Sequence, residues 1–127
     1  MLPHAKRLDN RAVILAMAQE QPKVTQRIEA LLEAPRSGAD APTLARVEET
    51  LTEGYAEALA LEAERLRLER RLGEVAREGS ADPGAELSSL GRRLTSADGE
   101  LTRLRALLSS LHDLARAQRG RSANSPS

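Results

Sequence analysis

The sequence predicts an all-α protein: a long antiparallel helical hairpin of coiled-coil type, with a shorter N-terminal helix or kinked helix pair packed on its open end. Three observations predict it. Composition is skewed towards Ala, Leu, Glu and Arg, with Tyr55 the only aromatic residue, and straight-chain residues lose little rotamer freedom in a helix whereas strand-forming residues are scarce. Leu, Val and Ala recur at heptad spacing through residues 43–79 and again through residues 83–118. Between these arms stand Ser80, Ala81, Asp82, Pro83 and Gly84, a turn signal in which Pro83 opens the next helix. A core without Phe or Trp has to be built from Leu and Ala, which suits thin helix-on-helix seams.

At 127 residues the chain accommodates one helical domain over residues 1–118, followed by a tail over residues 119–127 that is expected to be disordered because it has no large apolar side chain. Nineteen basic residues balance nineteen acidic ones, so net charge supplies no attraction to nucleic acid or to an anionic membrane. The absence of cysteine excludes disulfides, thiolate metal sites and a cysteine nucleophile. Near the N-terminus the apolar run over residues 12–18 is too short to span a bilayer, and Gln19, Glu20, Gln21 and Pro22 do not form a small-residue cleavage site. A cytoplasmic location is the expectation.

Residues 5–34 form the N-terminal helical region. A first helix is expected over about residues 5–20, with Asp9 and Asn10 as rival caps and Pro22 as a break. Its middle, residues 12–18, is apolar on every face, so a short buried helix fits it better than a strand that would lack a partner. From Pro22 onward, Val24, Ile28, Leu31 and Leu32 make an ordinary amphipathic face that ends before Pro35. Residues 35–42 are the linker.

Writing Leu44 as heptad position a places Val47, Leu51, Gly54, Ala58, Leu61, Arg65, Leu68, Leu72 and Val75 at successive d and a positions. Writing Leu87 as a does the same for Leu90, Leu94, Ala97, Leu101, Leu104, Leu108, Leu111, Ala115 and Gln118. Folding the arms about the turn brings together residues whose numbers add to 162. Gly54 then meets Leu108, Ala58 meets Leu104 and Arg65 meets Ala97, so each small residue faces a larger one. In this register Glu64 is expected near Glu100 and Arg71 near Arg93, which are like charges. Thr95, Ser96, Asp98 and Gly99 mark a weak point at which the second arm could kink. Tyr55, Leu59, Leu66, Leu107 and Leu114 lie off the seam, mostly away from the turn, and the helix from Pro22 is expected to fold back onto that open end.

The catalytic inventory is thin. His4 and His112 have no ligand-forming neighbour, and His112 and Asp113 point about 100° apart on a helix. No Gly-rich phosphate loop follows a strand, and the run from Glu62 to Arg71 alternates in sign, as a solvated face does. No enzyme activity, cofactor or metal is expected. The apolar run has no evident partner within the chain, so Val13, Ile14, Leu15 and Met17 are the candidate interaction residues, for a non-enzymatic coiled-coil interaction or scaffold protein that self-associates. At the hairpin tip, Glu78, Asp82 and Glu86 group three carboxylates. That layout resembles the coiled-coil finger factors that enter the secondary channel of bacterial RNA polymerase; the resemblance covers the hairpin alone and implies a regulator of a larger machine as an alternative. A small helical chaperone for exported subunits is a further alternative, suited to exposed Leu and Ala.

Overall fold

Asp82 and Pro83 decide where the chain reverses. Proline is tolerated in a first helical turn because its missing N–H would be unpaired there anyway. The Asp82 side chain accepts a hydrogen bond from the Ala85 N–H at 3.4 Å, and its carbonyl accepts one from the Glu86 N–H at 3.3 Å. The computed structural model of the chain describes residues 23–78 and 82–124. Its elements are α1 (Val24–Glu33), α2 (Leu44–Glu78) and α3 (Pro83–Asn124). Helices α2 and α3 are the antiparallel arms of an all-α hairpin, and α1 packs against both of them at the open end.

Each start has a local cause. The Gln26 side chain accepts from the Lys23 N–H at 3.2 Å, so α1 begins one residue after Lys23. In the linker Gly38 takes φ +93°, a left-handed conformation that a side chain would strain, and its carbonyl accepts from Ala41 N–H at 3.2 Å. Thr43 then caps α2, its hydroxyl accepting from the Arg46 N–H at 3.2 Å.

The seam follows the predicted register. A Cβ added at Gly54 would run into Leu108 Cδ2 and lie 3.4 Å from Ile28 Cδ1, so this glycine is the notch in which α1, α2 and α3 meet. Buried residues divide into two clusters. At the open end Val24, Ile28, Val47, Leu51, Leu104 and Leu111 belong to a three-helix core; towards the tip Leu68, Val75, Leu90 and Ala97 fill a two-helix seam. Arg65 sends its guanidinium outwards to Asp98 at 3.4 Å, over the small Ala97.

Two expectations for α3 change. The helix is uninterrupted through Thr95 and Gly99, with the Thr95 hydroxyl bonded to the Gly91 carbonyl at 3.0 Å. It also continues to Asn124, past Gln118 and into the stretch expected to be disordered. Two contacts anchor the start of this extension: Gln118 donates to the Pro42 carbonyl of the linker at 3.0 Å, and Arg119 pairs with Glu48 on the other arm at 2.6 Å. Residues 5–20, the expected first helix, lie outside the described residues.

Candidate functional site

The hairpin has two faces, and their flanking residues pair differently from expectation. In an antiparallel pair each g position meets the g position of the other arm and each e position meets e. Glu64 accordingly faces Arg93 at 3.2 Å, and Arg71 faces Glu86 at 2.8 Å, both on the g side. The e side carries Glu48 with Arg119 and Glu62 with Arg105. Every one of these pairs is of opposite charge, so the expected approach of Glu64 to Glu100 and of Arg71 to Arg93 is corrected: the flanks sit five residues off the 162 register, not two. Within α2, Glu64 also pairs with Arg67 at 2.8 Å, while Glu62 and Arg65 reach across to the other arm.

Helix α1 covers one face only. It lies on the g side, where Ile28 sits over Gly54, Arg27 pairs with Glu53, and Glu29 pairs with Arg103 at 2.9 Å. Leu107 and Leu114, g positions of α3, join its core. Tyr55, Leu59 and Leu66 are at e and b positions and remain 48%, 66% and 47% exposed. Helix α1 packs on the open end as expected, and because one helix cannot cover both faces of a hairpin it covers Leu107 and Leu114 and leaves the other three exposed. The open face contains a shallow groove of about 530 Å³ between Tyr55, Ala58, Leu59 and Glu62 on α2 and Arg105, Leu108 and His112 on α3. Its floor is apolar. The Glu62 and Arg105 ion pair closes one end, and the Tyr55 ring and His112 imidazole flank the other.

A second groove, about 560 Å³, lies on the α1 face at the point where the chain enters α1. Lys23, Val24, Leu61 and Leu104 line it, together with Glu57 and Glu100. These two glutamates are a g–g pair of like charge.

The candidate residues from the sequence are dispersed. Val13, Ile14, Leu15 and Met17 lie outside the described residues. At the tip, Glu86 is tied to Arg71 and Asp82 caps α3, while Glu78 is exposed at the end of α2. The hydrogen bond from Arg67, assisted by the charges of Arg67 and Arg93, holds the Glu64 carboxyl below the ordinary carboxylate range. Glu86 and then Glu74 push the Arg71 guanidinium above its usual value. These shifts belong to exposed ion pairs on the hairpin flank. Among the described residues no group of three or more His, Asp or Glu side chains is placed to hold a metal ion, and no helix is long and apolar enough to cross a membrane. The groove at Tyr55 is the feature that the sequence missed; its signal was present, since Tyr55 and Leu59 fall on the e and b side and Leu107 and Leu114 on the g side.

The fold and its open face define a helical hairpin braced on one side. No known family model, no curated protein and no solved structure matches the chain.

Proposed function

We propose that this chain is a non-enzymatic coiled-coil interaction or scaffold protein that acts by self-association, in the cytoplasm. One observation carries the reading: the hairpin is covered on the α1 face and on the other leaves three large apolar side chains, Tyr55, Leu59 and Leu66, exposed between its ion pairs. Scattered apolar side chains are ordinary on a surface, whereas a row beside a groove is what a partner helix covers. Residues 12–18 add a second apolar element that the sequence leaves without a partner. Light scattering on the intact chain and on one beginning at Pro22 tests the reading. The expected result is an oligomer that falls to monomer on truncation; monomeric masses for both overturn it.

The exposed carboxylate of Glu78 at the hairpin end supports a second reading, a finger-type regulator that inserts its tip into a larger machine. Replacing Glu78 by Gln together with Asp82 by Asn and Glu86 by Gln, with partner activity as the readout, decides it. No change at retained helicity rules the tip out.

A further inference from the structure

We infer that the groove between Tyr55 and His112 receives residues 12–18 of a second copy of the chain, so that two copies exchange their N-terminal segments. The inference rests on the self-association proposed above and names its receiving surface.

Length is the first argument. The groove runs from Tyr55 to Glu62 on α2 and from Arg105 to His112 on α3, seven helical steps on each arm, or about 10 Å. Residues 12–18, as the helix the sequence predicts, also measure about 10 Å. Chemistry is the second. A helix that is apolar all round needs cover on more than one side, and the side chains of Tyr55 and Leu59 are about half or more exposed to provide it. Face-to-face pairing of two hairpins through Tyr55, Leu59 and Leu66 alone offers much less than the roughly 800 Å² per partner of a standard interface, so an inserted helix is the better occupant.

The route of the chain decides whose helix it is. Lys23 lines the groove on the α1 face, over Leu61 and Leu104. From there to residue 18 is five Cα steps, at most about 17 Å fully extended. Passing round the outside of α2 to the other face, at a helix-packing distance of about 9 Å from its axis, takes about 25 Å. The segment cannot reach the groove of its own hairpin. A two-fold pair fills both grooves reciprocally.

The chain has no cysteine, so introduced cysteines report cleanly. Leu15→Cys in one preparation and Leu59→Cys in a second carrying a mass tag, unfolded and refolded together and then air-oxidised, should yield mainly a mixed disulfide of one tagged and one untagged chain, in excess over either homodisulfide. Leu59→Glu, at an exposed position, should convert the intact protein from dimer to monomer on light scattering with unchanged helicity by circular dichroism. A chain carrying both cysteines that closes on itself at monomer mass overturns the exchange. A dimer that survives Leu59→Glu overturns the groove but leaves self-association standing, and a monomeric parent chain overturns both.

Discussion

Gly54 shows how much one missing methyl group can organise. A helix interior ordinarily penalises glycine by about 0.5–1 kcal/mol relative to alanine, yet here the vacant Cβ position is filled by Leu108 and approached by Ile28. Gly54→Ala should therefore destabilise the protein by about 1–2 kcal/mol, overpacking outweighing the gain in helix propensity. In a urea melt the loss should shrink when Leu108→Ala is combined with it, as coupling between touching residues requires. Gly99 is the control: a Cβ there meets nothing within 4 Å, so Gly99→Ala should stabilise by about 0.5–1 kcal/mol. Glu64 makes a different residue-scale prediction. Because its carboxyl is held below the ordinary range by Arg67 and Arg93, its contribution is complete above the ordinary carboxylate pKa and is lost as pH falls through the depressed one. Glu64→Gln should lower the Tm slightly at neutral pH, and the gap should close as the pH falls below the ordinary carboxylate range and in high salt.

Helix α1 is the element that makes the hairpin asymmetric. Its ten residues commit Val24, Ile28 and Leu31 to the core, and Ile28 is fully buried. Ile28→Ala should cost about 2–4 kcal/mol in chemical denaturation, the range for truncating a packed Ile. The amphipathic face of α1 and its helical state were legible in its spacing. The side of the hairpin that it would choose was not, because the sequence shows apolar excess on both sides: Leu107 and Leu114 on one, Tyr55, Leu59 and Leu66 on the other.

For the whole molecule, the core changes thickness along its length. Three helices share the open end and two share the tip half. Thin seams open at lower free energy than thick cores. Amide hydrogen exchange should accordingly be slowest around Leu104 and Leu111 and markedly faster around Leu87 and Val75, a gradient that uniform protection along both arms would refute.

The sequence by itself determined the all-α class, the turn at Asp82 and Pro83, and the register, since heptad spacing and volume matching between Gly54 and Leu108 or Arg65 and Ala97 are properties of two arms joined by one short turn. Only the tertiary structure decided the rest. Flank charges pair as Glu64 with Arg93 and Arg71 with Glu86 because antiparallel arms bring g to g, and α3 continues past Gln118 where Gln118 finds a partner on the linker and Arg119 one on the opposite arm. The side taken by α1 follows from shape: the notch at Gly54 admits Ile28 on the g face, and periodicity along a single helix labels its faces without saying which one a third helix will occupy. That choice leaves Tyr55, Leu59 and Leu66 uncovered.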